Sequence, residues 1–374
     1  MNEFNGLINE PVKSYEIGSE ERSSLQKRYD ELSSNEIEIP IIINGEKILT
    51  DDTGKCVMPH DHQYTLAKYH KANKDLALQA IESSLESWNE WSRTDLDFRI
   101  DIFRRAATLL AGKWRDTINA ATMLNQSKNA FQAEIDAACE LIDFFNFNAL
   151  YAKNIHNKQD LISPTGMKNS LEYRPLEGFI FAITPFNFTS IAGNLPTAPA
   201  IMGNVSIWKP ASSAVYACYF LMELLKEAGL PDGVINFLPG SGSTVGDPIL
   251  NHPSLAGVHF TGSTNTFNHI WKTIGSNIGQ YKTYPRIVGE TGGKDYCLAH
   301  ESCDIDVLVT AMVRGAFEYQ GQKCSAMSRA YIPKSLWSEV KEKFISEVKT
   351  IKIGSPKDFT NFMNAVIDKS AFDT

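Results

Sequence analysis

The chain has 374 residues, of which 43% are hydrophobic and 21% are charged, and its formal net charge is -8 at pH 7. This length suggests about two or three domains, and the acidic balance gives no electrostatic support for a nucleic-acid or anionic-membrane partner. The six cysteines contain no Cys-x-x-Cys pair, so we expect reduced thiols rather than a disulfide scaffold or a zinc site.

The first 39 residues are polar and lack a strong period, which predicts an extended N-terminal arm over 1–39. Between Met1 and Glu21 the only basic residue is Lys13, unlike a secretory signal or an Arg-rich transit peptide. No apolar run approaches the roughly 18 residues that a membrane span needs. We therefore expect no membrane partner, and either a cytoplasmic protein or one whose targeting segment lies outside this sequence.

Strand and helix signals follow in the first half of the chain. An apolar run ending at Asn44-Gly45 predicts a strand that enters a hairpin turn. Apolar residues at helical spacing then predict helices over 73–92, 98–114 and 129–151. Proline, glycine and asparagine between Ile162 and Arg174 predict a loop and a hairpin, which together form a protruding arm near 152–176.

After Gly178 short apolar runs alternate with a helix, which is typical of a parallel α/β sheet whose strands are buried on both faces. The predicted strands lie at 179–183, 205–208, 234–238 and 257–260, and a helix spans 214–228. Polar or glycine-rich segments follow these strands at 184–187, 209–210, 239–242 and 261–264. Open α/β sheets bind ligands beyond the carboxyl ends of their strands, so this convergence predicts a nucleotide site.

Each motif has an ordinary structural interpretation when it is taken alone. Gly240-x-Gly242 is not the dinucleotide fingerprint and fits a plain strand-to-helix turn. An isolated cysteine such as Cys324 is more often a small buried hydrophobe than a nucleophile, and Lys209 could be a solvated strand-end lysine. His60 and His62 lack a nearby third ligand, so we expect a turn there and no metal site.

The order of five motifs makes a more specific case than any one of them. They are Pro185-Phe186-Asn187-Phe188, Trp208-Lys209-Pro210, Phe260-Thr261-Gly262-Ser263, Glu290-x-Gly292-Gly293-Lys294 and Gly321-Gln322-x-Cys324. In order and spacing they resemble the aldehyde dehydrogenase superfamily. The stretches 133–138, 141–145 and 316–326 resemble the branch that oxidises glutamate semialdehyde, the delta-1-pyrroline-5-carboxylate dehydrogenases.

The resemblance implies an α/β protein with the aldehyde dehydrogenase fold. A Rossmann-like, parallel-sheet NAD-binding domain is expected at 40–290, with the arm near 152–176 used for oligomerisation. A partial α/β catalytic domain is expected at 291–374. Relatives continue well beyond the position of Thr374, so we expect this catalytic domain to be incomplete.

The resemblance also implies a role for each matched residue. Cys324 is expected to attack the aldehyde as a thiolate, Asn187 to hold the oxyanion, and Glu290 to activate the water that hydrolyses the thioester. The residues matched to NAD contacts are Thr184, Lys209, Gly262, Ser263, Thr264, Asn265 and Thr266. Ser325 is expected to hold the substrate carboxylate, with plain packing as the alternative, and Phe188 to line the aldehyde pocket.

Further expectations follow from the family alone. They are NAD rather than NADP as the cofactor, a small-molecule substrate, no metal, a homo-oligomer, and a mitochondrial matrix location with the cytoplasm as the alternative. Ser212 stands where many relatives carry an acid, so it does not itself exclude NADP. The alternatives are an inactive derivative that binds nucleotide or a full-length subunit, and a dehydrogenase for another semialdehyde. Glu290 argues against a CoA-acylating type, in which water activation is not wanted.

Overall fold

A computed structural model describes residues 7–159 and 161–374 of the chain. The strands are β1 (Ile37–Ile39), β2 (Ile41–Ile43), β3 (Glu46–Ile48), β4 (Thr53–Met58), β5 (Asp61–His70), β6 (Phe179–Ile183), β7 (Val205–Lys209), β8 (Ile235–Phe237), β9 (Leu255–Thr261), β10 (Arg286–Glu290), β11 (Tyr296–Leu298) and β12 (Arg329–Tyr331). The α-helices are α1 (Glu20–Ser33), α2 (Lys74–Trp91), α3 (Leu96–Ala111), α4 (Arg115–Gln126), α5 (Ala130–Ala133), α6 (Glu140–Asn157), α7 (Thr189–Ile201), α8 (Val215–Glu227), α9 (Gly242–Leu250), α10 (Thr264–Ser276), α11 (Ile305–Phe317), α12 (Trp337–Val348) and α13 (Lys369–Asp373). A π-helix covers Glu134–Cys139, and short 3-10 helices cover Ile278–Gln280 and Glu318–Gly321.

A seven-stranded sheet in the order β10-β9-β6-β7-β8-β2-β3 organises the fold. The strands from β10 to β8 are parallel, and β2 and β3 add an antiparallel edge. The chain moves from β6 to one side through β7 and β8, and then returns to the other side for β9 and β10. This reversal between β6 and β9 creates a crevice at the carboxyl ends of the strands, where such sheets bind ligands.

The central strands are buried because helices cover both faces of the sheet. Phe179, Phe181 and Trp208 have no measurable exposure, as expected of continuous apolar strands in a parallel sheet. The strands predicted at 179–183, 205–208, 234–238 and 257–260 are confirmed as β6 to β9, with ends that agree within about two residues. The helix predicted at 214–228 is confirmed as α8.

The extended conformation predicted over 1–39 is wrong for Glu20–Ser33, which form α1, whereas the bounds of the arm stay a prediction. Ser19 caps α1 by accepting a hydrogen bond from the backbone N–H of Arg22. Leu25, Tyr29 and Leu32 are buried on one face of the helix. This stripe is short and lies among polar residues, so its period was weak in the sequence. The prediction for residues 1–6 lies outside the described residues.

The turn predicted at Asn44-Gly45 is confirmed, and both residues have the positive φ angles, 50° and 76°, that a tight hairpin turn requires. The single strand predicted before it is two strands, because Pro40 lies between β1 and β2. β1 pairs with β5 in a separate three-stranded sheet, whereas β2 pairs with β3 and β8. β4 and β5, which complete that smaller sheet, were not predicted.

The helix predicted over 129–151 is continuous from Ala130 to Asn157, but a π-helix lies near its start, between α5 and α6. Asn129 caps its start by accepting a hydrogen bond from the N–H of Gln132. Glu134 and Asp136, in the π-helix, are both buried. A π-helix shifts the side chains that follow it around the helix axis and is frequent at functional sites.

The hairpin predicted near 152–176 begins later than expected, since α6 continues to Asn157. Residue 160 lies outside the described residues, and no strand is present over 161–176. Instead, the Asn169 side chain donates to the Ile162 carbonyl at 2.9 Å, and the Leu171 N–H donates to Gln159 Oε1 at 2.8 Å. The two limbs of the arm are therefore joined through side chains.

A second, smaller hydrophobic cluster follows β10, and it comprises Leu308, Val309, Met312, Val313 and Val340. The domain boundary at 290/291 stays a prediction. Among the helices of the described ranges, none is both long and apolar enough to cross a membrane.

Candidate active site

A cleft of about 650 Å³ lies at the carboxyl edge of the sheet, where β6, β7 and β9 end. Its other walls come from the loop after β10, from the segment around Cys324 and from α13. The site residues predicted from sequence that line it are Thr184, Asn187, Lys209, Gly262, Ser263, Thr266 and Cys324. Folding therefore brings most of the predicted nucleophile, oxyanion and cofactor residues into one cleft.

The turn that presents Cys324 has an uncommon backbone. Tyr319 and Gln320 have φ angles of 50° and 56°, and Gly321 follows with 71°. Side chains larger than glycine seldom adopt this left-handed conformation, so surrounding contacts must stabilise it. The Tyr319 hydroxyl donates to the Gln126 carbonyl at 3.0 Å, and the Gln320 amide donates to the Ala365 carbonyl at 2.7 Å.

The Cys324 thiol is half-buried, and its ionisation depends on this burial and on the Glu290 side chain. Burial, followed by the hydrogen-bonding effect and the charge of Glu290, raises the pKa of Cys324 to about 11. Hydrogen bonds from the backbone N–H groups of Ser325 and of Cys324 itself act in the opposite direction. Near neutral pH the thiol therefore keeps its proton.

Asn187 lies in the loop between β6 and α7 and points its amide at the nucleophile loop. Its Nδ2 donates to the Gln322 carbonyl at 2.9 Å, two residues before Cys324. An amide carries two N–H donors, so one is left for another acceptor on the same side. The amide is therefore held against the nucleophile loop, and its role as an oxyanion donor stays a prediction.

The opposite wall of the cleft offers donors to an anionic or hydroxylated ligand. The Lys209 side chain is largely buried, with its ammonium 3.3 Å from the Pro210 carbonyl, and burial lowers its pKa to about 8. Ser263 caps α10 by accepting from the Thr266 N–H at 3.2 Å, so the free N–H groups of this helix start lie at the cleft. Thr184 accepts a hydrogen bond from the Trp208 indole at 2.9 Å.

Several residues predicted from sequence lie beside the cleft rather than in its walls. Thr264 and Asn265 are exposed in the first turn of α10, and Ser325 is exposed next to the nucleophile. Phe188 is buried, and its ring centroid lies 4.4 Å from the Lys128 ammonium and 5.6 Å from that of Lys323. The cofactor and substrate roles of these four residues stay predictions.

Sequence reasoning missed a buried charge cluster behind the nucleophile loop. Asp136 pairs with the Lys128 ammonium at 2.7 Å and with the Lys323 ammonium at 3.0 Å. Burial, only partly offset by Asp136, lowers the pKa of Lys128 to about 8. The available signal was the charge of Lys128 just before a helical segment rich in alanine, and the charges of Glu134 and Asp136 within it.

Comparison with known proteins agrees with this geometry. The model of the aldehyde dehydrogenase family matches residues 49–374. A mitochondrial delta-1-pyrroline-5-carboxylate dehydrogenase from Dictyostelium discoideum is 48% identical over 98% of this chain and 66% of its own length. The protein of the same name from Bos taurus is 45% identical over 98% of this chain and 65% of its own length. The chain thus spans slightly less than two thirds of the length of these relatives.

Solved structures extend the comparison to the fold. The delta-pyrroline-5-carboxylate dehydrogenase of Mycobacterium tuberculosis bound with NAD has a TM-score of 0.96 and 48% identity, covering 100% of this chain and 70% of that one. A 1-pyrroline-5-carboxylate dehydrogenase from Thermus with bound NAD has a TM-score of 0.91 and 28% identity, covering 97% and 70%. The predicted α/β fold is therefore confirmed, and the chain belongs to the aldehyde dehydrogenase family.

Proposed function

We propose that this chain carries the catalytic and cofactor-binding residues of an NAD-dependent dehydrogenase that oxidises L-glutamate 5-semialdehyde to L-glutamate. The observation that carries the proposal is the single cleft whose walls bring Cys324 and Asn187 together with Lys209 and the start of α10. Relatives at 48% and 45% identity named delta-1-pyrroline-5-carboxylate dehydrogenase support the substrate. The NAD-bound mycobacterial relative supports the cofactor.

The residues on the cofactor wall fit NAD. The buried Lys209 ammonium has the Pro210 carbonyl at 3.3 Å as an acceptor, and ribose hydroxyls would add acceptors of the kind that an ammonium requires. The free N–H groups at the start of α10 suit a pyrophosphate. When bound, NAD accepts the hydride that leaves the substrate carbon.

The roles of the catalytic side chains follow from their chemistry. The Cys324 sulfur forms a bond to the aldehyde carbon as its proton passes to Glu290, and the carbonyl oxygen becomes an oxyanion. Asn187 would donate to that oxyanion, together with the backbone N–H of Cys324. After the hydride leaves, the product on the enzyme is a thioester. Glu290 then releases the cysteine proton to solvent and, as a carboxylate again, takes a proton from the water that attacks the thioester. The departing thiolate takes up that proton, which releases the carboxylic acid and the thiol.

Assembly and location belong to the same proposal. We infer a homo-oligomer, supported by the exposed side chains of Ile162 and Met167 on the arm, at 93% and 71% exposure. Light scattering after size exclusion tests this, and a monomer at all concentrations would contradict it. We also infer a mitochondrial location, supported by the names of the Dictyostelium and Bos relatives. Fractionation of cells that express the protein tests it.

The catalytic proposal is tested by following NADH absorbance with the purified chain, NAD and pyrroline-5-carboxylate. We expect NADH formation that Cys324→Ala abolishes. Cys303→Ala is the matched control, because Cys303 is also half-buried but lies outside the cleft walls. A soluble, folded chain that binds NAD but forms no NADH would contradict the proposal and favour a nucleotide-binding derivative.

A further inference from the structure

A single carboxylate oxygen behind the nucleophile loop joins two distant parts of the chain. Asp136 Oδ2 lies 2.7 Å from the Lys128 ammonium and 3.0 Å from the Lys323 ammonium. The side chains of Lys128, Asp136 and Lys323 are only 0%, 4% and 13% exposed. Moving charges out of water costs several kcal/mol per ion in effective terms, so ion pairs this deeply buried seldom add net stability.

Lys128 contacts both Phe188, which is expected to line the aldehyde pocket, and Tyr319, which lies in the turn before the nucleophile. Its ammonium lies 4.4 Å from the ring centroid of Phe188 and 4.3 Å from that of Tyr319. Phe188 directly follows the amide residue Asn187. Tyr319 is the first of the left-handed residues in the turn that leads to Cys324. One buried cation thus fixes the distance between these two neighbours of the reacting atoms.

Lys323 connects the nucleophile itself to the π-helix. It directly precedes Cys324, and its side chain reaches back to Asp136, to the Gln132 side-chain oxygen and to Glu318 at 3.7 Å. An anchored side chain one residue before the thiol restricts the rotation of the peptide that carries it. The π-helix places Asp136 on the side of the helix where both ammonium groups can reach it.

We propose that Asp136, together with Lys128 and Lys323, positions the nucleophile loop against the aldehyde pocket. This rests on the reaction proposed above, to which it adds three positioning residues that need not touch substrate. A purely structural ion-pair cluster would change stability alone. If the cluster positions the loop, its removal displaces the Cys324 thiol while the fold and the cofactor-binding residues remain intact.

Three variants test this, namely Lys323→Met, Asp136→Asn and Lys128→Met. The control is Lys71→Met, which removes an exposed ion pair with Asp52 at 2.9 Å. Iodoacetamide labelling followed by peptide mass spectrometry gives a rate for each cysteine. We expect Cys324 to be labelled at least roughly tenfold faster in Lys323→Met and Asp136→Asn. Without its anchor the loop moves, and the thiol loses the burial and the proximity to Glu290 that raise its pKa, so more of it is the reactive thiolate. The rates of Cys297 and Cys303 should stay unchanged.

Kinetics supply a second measurement. A thiol misplaced by about 1 Å costs roughly 10²-fold in kcat. KM for NAD should be unchanged, because the ion pairs of the cluster involve neither Lys209 nor α10. If the unaltered chain forms no NADH, the proposed function fails, and the labelling rates still decide the positioning role. If Asp136→Asn fails to fold, Lys323→Met decides, since Lys128 then keeps its partner. Cys324 labelling within about twofold of the unaltered chain in a folded Lys323→Met overturns the proposal.

Discussion

Gly293 faces the backbone of Cys324 so closely that a methyl group at position 293 would lie 1.4 Å from the Cys324 carbonyl oxygen. Gly293 comes shortly after Glu290, the last residue of β10. The strand that supplies the carboxylate and the loop that supplies the thiol therefore meet backbone to backbone. Only glycine leaves room for this contact between the two segments.

Replacing Gly293 by alanine should therefore separate the two functional groups. The nearest obstacle is backbone rather than a flexible side chain, so the loop must move by well over an ångström. We expect Gly293→Ala to lower kcat by roughly 10²-fold, because a displacement of this size removes the reacting geometry. NADH formation by the purified variant measures the effect. Gly275→Ala is the control, since a methyl group at position 275 would have no neighbour within 4 Å, and equal losses in both variants would contradict the explanation.

The Glu290 carboxylate should control the ionisation of the thiol. After burial, the hydrogen bond and charge of Glu290 are the largest causes that raise the pKa of Cys324 to about 11. Glu290→Gln removes the charge, so we expect the pH midpoint of Cys324 labelling by iodoacetamide to fall. The exposed Glu301→Gln is the control. A midpoint that is unchanged in Glu290→Gln would contradict the assigned cause.

The same variant separates the two halves of the reaction. Without a base to activate water, the thioester should accumulate after hydride transfer. We expect a burst of about one NADH per chain followed by slow turnover. Rapid mixing with NAD and pyrroline-5-carboxylate measures the burst. Steady turnover at the rate of the unaltered chain would exclude Glu290 as the base for hydrolysis.

The parallel sheet could be predicted from sequence because its strands are buried on both faces. Phe179–Ile183 is a continuous apolar run, Val205–Lys209 is mostly apolar and buried throughout, and polar segments mark their carboxyl ends. The smaller sheet, formed by β1, β5 and β4, was harder to predict from the sequence. β5 is exposed along its first half and buried along its second, so it carries no single pattern. Its partner β4 contains a register shift, which breaks the alternation that identifies a half-buried strand.

The chemistry of the cleft could be predicted to the extent that it resides in local motifs. Cys324, Asn187 and Lys209 each lie in a short stretch that identifies them, and the structure places all three in the cleft walls. The contacts of Lys323 with Asp136 and of Lys128 with Tyr319 depend on tertiary packing between segments that are far apart in sequence. No periodicity or spacing in the sequence encodes such a contact, so the cluster could be found only in the folded chain.

Lys209 should make NAD binding depend on pH. Burial lowers its pKa to about 8, so the side chain becomes neutral as the pH rises through this value. A neutral amine is a weaker donor to ribose hydroxyls, and we expect NAD affinity to fall between about pH 7 and pH 9. Lys209→Met should weaken binding by roughly 10- to 100-fold, as a charged hydrogen bond contributes about 1.5–3 kcal/mol. Titration calorimetry measures both effects.

A matched variant keeps this prediction specific to the cleft. Lys226 is an exposed lysine in the last turn of α8 and lies outside the cleft walls. We expect Lys226→Met to bind NAD with the affinity and pH dependence of the unaltered chain. If Lys209→Met kept the same fall in affinity with pH, the titrating group would be another residue.

His60 should make the folded chain sensitive to mild acid. It lies in the turn between β4 and β5 and forms hydrogen bonds with the Tyr29 hydroxyl at 3.1 Å and with Ser127 Oγ at 3.2 Å. Burial lowers the pKa of His60 to about 4. The unfolded chain therefore takes up this proton at a higher pH than the folded chain. The stability that His60 contributes is complete above about pH 6.5 and is lost as the pH falls towards 4.

The loss amounts to at most about 3 kcal/mol over this window, since each unit of pKa difference corresponds to about 1.4 kcal/mol. Urea unfolding at several pH values measures it, and His60→Gln should flatten the dependence because glutamine does not titrate. The exposed His62→Gln is the control.

Ser127, a partner of His60, also accepts a hydrogen bond from the Ala365 N–H at 3.3 Å, next to the Gln320 contact that holds the nucleophile turn. Mild acid should therefore loosen the nucleophile turn before the protein unfolds. In the unaltered chain, the labelling rate of Cys324 should then exceed the rate that thiol ionisation at that pH alone would give. If the unaltered chain and His60→Gln lose stability with the same slope between about pH 6.5 and 4, His60 is not the group responsible.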